Sequence, residues 1–128
     1  MSKTTATNTK LFTKDHEWIQ VDGNIATLGI TDHAQDTLGD IVFFALPEVG
    51  ASHSTNDAIA TVESVKAASD IYMPAAGTIT EVNSTLTETP EVANHSPENE
   101  GWICKFKIND IKELENLLSH EQYLEHTQ

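Results

Sequence analysis

A lysine at the centre of a run of small residues constrains the fold of this chain more than any other segment does. The run is Glu63-Ser64-Val65-Lys66-Ala67-Ala68-Ser69-Asp70, and β-prone apolar segments precede it at residues 58–62 and follow it at residues 71–73. This order predicts two antiparallel strands joined by a turn that holds the Lys66 amine in solvent. Small neighbours leave room for an enzyme, so the amine suits covalent modification. An exposed lysine beside a turn is also, in most proteins, only a solvated charge, and the pattern alone leaves both interpretations open.

Short strand-like segments with turns between them recur along the rest of the chain. Residues 17–21 and 25–30 flank Asp22-Gly23-Asn24 and predict a hairpin. The apolar run 41–46 predicts a strand that Pro47 ends. Many short strands at this spacing favour a sandwich or a barrel.

Helices are predicted near both ends of the chain. Thr31 or Asp32 can cap a short helix, with Gly39 as its left-handed stop. In the tail, the apolar residues of segment 111–118 fall on one helical face, and Ser119 begins a capping box for a further turn or two.

Between these regions, residues 83–101 form a polar stretch that predicts a long loop, and residues 102–108 predict a strand. The strand places Cys104 and Phe106 on one face and two lysines on the other. Cys104 is the only cysteine, which excludes an internal disulfide, and we expect it to be a buried, inert thiol.

The length and composition limit the class of protein. The chain has 128 residues, is 38% hydrophobic and has a mean hydropathy of −0.33, which is typical of one globular domain, expected here over residues 11–128. The polar segment 1–10 has no apolar h-region and is expected to be a disordered leader of a cytoplasmic protein. No apolar run approaches the roughly 20 residues that span a bilayer.

The net charge of −13 limits the partners. It arises from 20 acidic residues and seven lysines, with no arginine. Such a surface repels phosphate backbones, so neither nucleic acid nor a membrane is an expected partner. Basic patches on other proteins are expected partners instead.

No catalytic or metal-binding pattern is evident. The six histidines show no paired ligand spacing, and we expect them to be scattered over the surface and no metal to bind. Phosphate loops, nucleophile elbows and dinucleotide fingerprints are absent from the sequence. The chain is therefore expected not to be an enzyme.

The segment around Lys66 resembles the lipoylation segment of the glycine cleavage system H-protein family. Further resemblances occur in the family's order and at its spacing, from residue 11 to residue 124. They are Thr13–Trp18, Ala26–Gln35, Leu38–Phe43, Leu46–Gly50, Glu81–Asn83, Glu100–Trp102 and the region from Leu114 to Tyr123. Several motifs in register make the resemblance specific.

The resemblance implies a mainly β fold: a barrel-sandwich hybrid of two small antiparallel sheets, with the lysine at a hairpin tip and short flanking helices. It also implies a covalent lipoate on Lys66, attached by lipoate ligase or by a lipoyl/octanoyl transferase. The carrier, expected to be a monomer, would take an aminomethyl group from glycine decarboxylase to an aminomethyltransferase. It would then pass electrons to dihydrolipoyl dehydrogenase. The compartment would be the bacterial cytoplasm, or the mitochondrial matrix in a eukaryote.

The resemblance also suggests roles for residues near Lys66. Glu63, Ser64, Val65 and Ala67 match positions that the modifying enzyme would recognise. Asp15, Glu17 and Asp70 match positions near which the loaded arm docks, where carboxylates would attract the cationic aminomethyl amine. Each of these acids is equally well explained as a solvated surface carboxylate.

Other functions stay open on the sequence alone. The chain could be a different swinging-arm carrier, either the lipoyl domain of a 2-oxo acid dehydrogenase or a biotin carrier. It could also be a relative that relays lipoyl groups to other enzymes. A small enzyme that uses Cys104 or the histidines is a further alternative.

Overall fold

The computed structural model describes residues 9–127, which form nine short strands and several short helices. In chain order these are β1 Thr9–Phe12, β2 Glu17–Asp22, β3 Ile25–Ile30, α1 Asp32–Leu38, β4 Ile41–Ala45, β5 Ser52–His53, β6 Ala58–Ser64, β7 Ala68–Tyr72, β8 Gly77–Val82, α2 Thr85–Glu88, α3 Val92–His95, β9 Cys104–Ile108, a 3-10 helix Ile111–Asn116, and α4 His120–His126.

The strands form two antiparallel sheets, as the resemblance implied. The larger sheet has six strands in the order β1-β2-β3-β9-β8-β5, and the smaller has three in the order β4-β6-β7. Side chains from both sheets meet in one apolar core, in which Ile19, Leu28 and Phe106 of the larger sheet pack with Val62 and Ile71 of the smaller one. The hairpin that carries Lys66 is therefore anchored by the inward face of its own strands.

The local sequence signals placed most elements correctly. The hairpin of β2 and β3 pairs Asp22 with Ile25 around a turn in which Gly23 has a φ of 65°. Thr31 caps α1 by accepting a hydrogen bond from the N–H of Ala34. The capping box at Ser119 is also confirmed. Each of these depends on residues a few positions apart, which explains why the sequence alone predicted them.

Two expectations about the second half of the chain are wrong. The stretch 83–101 is not simply a polar loop, because it contains α2 and α3 and buries Leu86 and Ala93 in the core. Segment 111–118 is not one amphipathic helix: the 3-10 helix ends at Asn116, and Ile111 is 51% exposed. The helix stops there because the backbone of Leu118 pairs with Phe12 of β1 through two hydrogen bonds of 2.7 and 2.8 Å.

The segment expected to be a leader is residues 1–10, and its first eight positions lie outside the described residues. Strand β1 begins at Thr9, so positions 9 and 10 already belong to the larger sheet. Among the helices of residues 9–127, none combines the length and the apolar character that crossing a membrane requires.

Candidate functional site

The tip of the β6–β7 hairpin holds Lys66 in an exposed position. The two strands pair up to Glu63 and Ala68, and a backbone hydrogen bond of 2.8 Å from Ser64 N to Ala67 O closes the turn. The Ser64 hydroxyl accepts hydrogen bonds from the N–H groups of Lys66 and Ala67, at 3.3 and 3.1 Å. The sequence therefore predicted the hairpin, and Ser64 fixes the shape of its turn.

The other residues assigned to enzyme recognition differ in how accessible they are. Glu63, Val65 and Ala67 are exposed, whereas Ser64 is buried. Val65 is the most open of the large apolar side chains described, at 70% exposure. Val65, Glu63 and Ala67 are thus available to a visiting protein, and the Ser64 hydroxyl is occupied by the turn.

The lysine stem lies over Gly39, at the corner between α1 and β4. A Cβ atom at Gly39 would lie 3.4 Å from Cε of Lys66 and 4.0 Å from its Nζ. Gly39 has a φ of 81° and a ψ of −151°, a region that essentially only glycine occupies. The predicted positive φ is confirmed, but the residue is not in the left-handed helical region. Glycine here satisfies the backbone angles, and an added Cβ would be in ordinary van der Waals contact with the lysine stem.

A network of hydrogen bonds fixes this corner to the hairpin tip. The N–H of Val65 donates to the carbonyl oxygen of Asp40 at 3.0 Å. The Asn94 side chain donates to the carbonyl oxygen of Gly39 at 2.8 Å and accepts from the N–H of Ile41 at 2.9 Å. Asn94 belongs to α3, in the stretch that the sequence predicted to be a loop. No signal at Asn94 itself could have revealed this contact, which spans more than 50 positions.

A shallow groove of about 180 Å³ runs beside β7 and α1. Its walls are formed by Asp15, His16, His33, Thr37, Ser69 and Ile71, among other residues. Thr37 and Leu38 bring one end of the groove next to Gly39, and thus next to the lysine stem. Asp15 and His16 form part of its wall in the turn between β1 and β2. A tether attached to Lys66 could therefore lie along this groove.

Of the three acids suggested for arm docking, Glu17 is the one whose environment the sequence did not predict. It is only 2% exposed, and its carboxylate accepts hydrogen bonds from Tyr72 N at 2.8 Å and from the Thr13 hydroxyl at 3.1 Å. Burial raises its pKa to about 7, against the lowering effect of the hydrogen bonds from Tyr72 and Thr13. A solvated surface carboxylate is therefore excluded for Glu17.

Asp15 and Asp70 are both exposed. Asp15 lines the groove, across from Ser69 and Ile71 of β7. Asp70 pairs with Thr61, whose hydroxyl donates to it at 3.3 Å, and it alternates with Ser69 and Ile71 along the strand. The structure thus brings Asp15 to the groove and places Asp70 on the opposite face of the same β7 strand.

Three histidines cluster at the end of the groove, which the expectation of scattered histidines missed. The ring of His16 lies 4.5 Å from that of His33 and 5.8 Å from that of His126. His16 Nδ1 is 2.8 Å from the Tyr123 hydroxyl, which ties α4 to this end of the molecule. Burial, together with His33 and His126, lowers the pKa of His16. No group of three or more His, Cys, Asp or Glu in residues 9–127 is arranged to hold a metal ion.

Cys104 is buried among apolar residues of β9, as its strand face predicted. Burial raises the pKa of its thiol to about 12, so the reactive thiolate is scarce at neutral pH. The thiol is therefore unsuited to nucleophilic catalysis.

These features present one primary amine and fix the backbone beneath it, and they provide a groove where a long substituent could rest. The class of protein that they define is a carrier, in which a group tethered to the lysine is served by other proteins.

Comparison of the sequence and the structure with known proteins supports the carrier class and identifies a family within it. A sequence model of the family described as glycine cleavage H-protein matches residues 10–128. The glycine cleavage system H protein of Thermotoga maritima is 49% identical over 116 residues, which are 91% of this chain and 94% of that protein. A mitochondrial H protein of Schizosaccharomyces pombe is 50% identical over 116 residues, covering 91% of this chain and 69% of that one. The crystal structure of an H protein from Mycobacterium marinum superposes with a TM-score of 0.85 at 33% identity and covers 94% of this chain and 97% of that one.

The chain belongs to the glycine cleavage H-protein family. It is a carrier component of the glycine cleavage system, in a family that carries lipoate, and it is not one of the catalysts of that system. The expected fold and family are confirmed, and the expectation that the chain is not an enzyme agrees with its family.

Proposed function

We propose that Nζ of Lys66 is the atom to which lipoate is joined, through an amide bond to the lipoyl carboxyl carbon. The observation that carries this proposal is the exposed amine at the tip of a hairpin whose backbone is fixed from both sides. Amide formation removes the lysine charge and makes the lysine stem part of a long tether. Once bound, lipoate supplies a disulfide ring that can accept the aminomethyl group and later the electrons of the reaction.

Lipoate ligase or a lipoyl/octanoyl transferase would carry out the attachment. Glu63, Val65 and Ala67 are exposed around Lys66 and are available to that enzyme. Ser64 would contribute indirectly, because its hydroxyl holds the N–H groups of Lys66 and Ala67 in the turn. We therefore assign Ser64 a positioning role in modification.

The groove beside β7 would receive the loaded arm. Asp15 lines the groove, and the buried carboxylate of Glu17 lies behind the same edge of β7, bound to Tyr72 N. Asp70 lies on the opposite face of the same strand, so its carboxylate would act on the arm only at longer range. Asp15 would therefore attract a cationic amine most directly, and the apolar walls contributed by Ile30 and Ile71 would exclude water from it.

The partners of the carrier would be glycine decarboxylase, the aminomethyltransferase and dihydrolipoyl dehydrogenase. The net charge of −13 would steer the carrier towards basic surfaces on these enzymes. We propose that the chain acts as a monomer, in the bacterial cytoplasm or the mitochondrial matrix. The relatives include both bacterial and mitochondrial proteins.

The mass of the purified chain tests the proposal directly. The unmodified chain is incubated with lipoate, biotin and ATP in the presence of purified lipoate ligase and purified biotin ligase. The product is analysed by intact mass spectrometry and peptide mapping. We expect the mass of one lipoyl amide, located on Lys66. Lys66→Arg is the matched control, since it keeps the charge at an exposed tip but cannot form the amide. A biotinyl adduct, or an unmodified Lys66, would refute the proposal.

A further inference from the structure

Two consecutive apolar side chains are exposed on β4, next to the lysine hairpin. Val42 is 52% exposed and Phe43 is 49% exposed, whereas Ile41 and Phe44 on either side are buried. The cause is a bulge, because the pairing of β4 with β6 shifts register between Ile41 and Phe43. A bulge sets two residues against one on the neighbouring strand, so both Val42 and Phe43 point away from the core.

These side chains lie beside the tip of the hairpin. Phe43 is paired with Glu63, three positions before Lys66. Val65, two residues after Glu63, donates its N–H to the carbonyl oxygen of Asp40, which immediately precedes β4. Val42, Phe43 and Val65 are therefore exposed apolar residues on neighbouring segments at the hairpin tip, and we call these three residues the tip patch. Exposed carboxylates of Asp40 and Glu63 border it.

The tip patch is unusual for the surface of this chain. Six large hydrophobic side chains of the described residues are substantially exposed, and three of them form the patch. The others are Val49 in a turn between β4 and β5, Ile111 in the 3-10 helix and Leu124 in α4. Single exposed apolar residues are common, but a cluster with a polar rim indicates a protein interface.

We propose that the tip patch is the docking surface for the enzyme that attaches the acyl group to Lys66. That enzyme would offer an apolar pocket for Phe43 and basic side chains for Asp40 and Glu63. This inference rests on the proposed modification of Lys66, and it adds three residues outside the hairpin, Asp40, Val42 and Phe43, to the surface that is recognised.

The position of the chemistry selects this occupant among the possible partners. The amide bond forms at Nζ, so the attaching enzyme must cover the surface within one lysine length of the hairpin backbone. Enzymes that act on the distal end of the arm meet it at the end of a long tether, and their active sites need no contact at the tip. The tip patch therefore lies on a surface that the attaching enzyme must contact and that the other enzymes need not contact.

Serine substitutions on the unmodified chain test the inference. Val42→Ser and Phe43→Ser are compared with Val49→Ser, Ile111→Ser and Leu124→Ser, which remove similarly exposed apolar side chains elsewhere. Each chain is incubated with lipoate, ATP and purified lipoate ligase, and the initial rate of lipoyl-chain formation is followed by intact mass spectrometry. We expect Phe43→Ser to lower kcat/KM by about tenfold or more, mainly through KM, as for a central interface residue. The three controls should stay within about twofold of the wild type.

Stability and a conservative variant separate docking from folding. The urea midpoint and circular dichroism of each variant are measured in parallel, and Phe43→Leu should recover most of the rate because it restores apolar bulk. Wild-type rates for Val42→Ser and Phe43→Ser would overturn the inference, although modification of the wild type would still support the proposed function. Normal lipoylation combined with a loss of glycine–CO2 exchange with glycine decarboxylase would also overturn it, because the occupant would then be the decarboxylase. A wild-type chain that is never modified would refute the proposed function itself.

Discussion

The carboxylate of Glu17 accepts a hydrogen bond of 2.8 Å from the backbone N–H of Tyr72, and this bond joins the two sheets. Glu17 begins β2 of the larger sheet, and Tyr72 ends β7, the strand that leads away from the lysine hairpin. The carboxylate is almost completely buried, and burial raises its pKa to about 7. The position of the groove beside β7 therefore depends on a group that titrates near neutral pH.

Glu17 is expected to make stability depend on pH. The pKa in the folded chain exceeds the ordinary value of 4.5, so the folded state binds more protons than the unfolded state between pH 4.5 and about 7. The free energy of unfolding should therefore fall as pH rises through this window, by at most about 3 kcal/mol. Glu17→Gln should remove this part of the slope and make the chain relatively more stable at pH 8. Urea denaturation across the window measures the difference from the wild type. Glu125→Gln, an exposed control, should keep the wild-type slope, and an equal slope for Glu17→Gln would contradict the assignment.

Asn94 is expected to stabilise the backbone between α1 and β4, over which the Lys66 stem lies. Asn94→Ala removes the donor to Gly39 O and the acceptor for Ile41 N, leaving both backbone groups without this partner. The free energy of unfolding should fall by about 1–3 kcal/mol. Lipoylation should also slow, since the corner and the hairpin tip are linked through Asp40 and Val65. Urea denaturation and the lipoylation assay are the two measurements, with Asn109→Ala as an exposed control. A stability like that of the wild type would show that the amide is dispensable.

Gly39 is expected to serve both the backbone and the lysine stem. Gly39→Ala should lower stability by about 1–3 kcal/mol, because a Cβ is disfavoured at its backbone angles. The Cβ would also lie 3.4 Å from Lys66 Cε, an ordinary van der Waals contact that reduces the rotamer freedom of the stem, so the rate of lipoylation per folded molecule should also fall, by a small factor. Gly50→Ala is the matched control, since Gly50 has a φ of 92° but no atom within 4 Å of the added Cβ. If folded Gly39→Ala and folded Gly50→Ala were lipoylated at equal rates, the role of Gly39 would be limited to its backbone angles.

Asp15 is expected to retain a positively charged group in the groove. Asp15→Asn should leave lipoylation of Lys66 unchanged, because the carboxylate lies at the groove and not at the hairpin tip. Once the carrier is loaded, the aminomethyl group should be lost to water faster than in the wild type. The decay can be followed by intact mass spectrometry, with Asp22→Asn, at the end of β2, as the control. An unchanged decay would remove Asp15 from the docking residues.

Several features of the site could be predicted from the sequence because they depend on near neighbours. The strands on either side of Lys66 are β-prone and the residues between them are small, so the amine was predicted at a turn. The caps at Thr31 and Ser119 follow from short-range rules in the same way. The alternation of residues 104–108 correctly predicted which face of β9 buries Cys104.

The remaining features were decided by the tertiary structure. Sequence determined that a lysine is presented at a hairpin and that the chain has the family's motifs, because both are local patterns. Only the folded chain decided that Glu17 is buried against Tyr72, that Asn94 supports the lysine corner, and that a bulge exposes Phe43. Each of these depends on backbone groups that lie far apart in sequence or on a shift in strand register, and local periodicity carries no information about either.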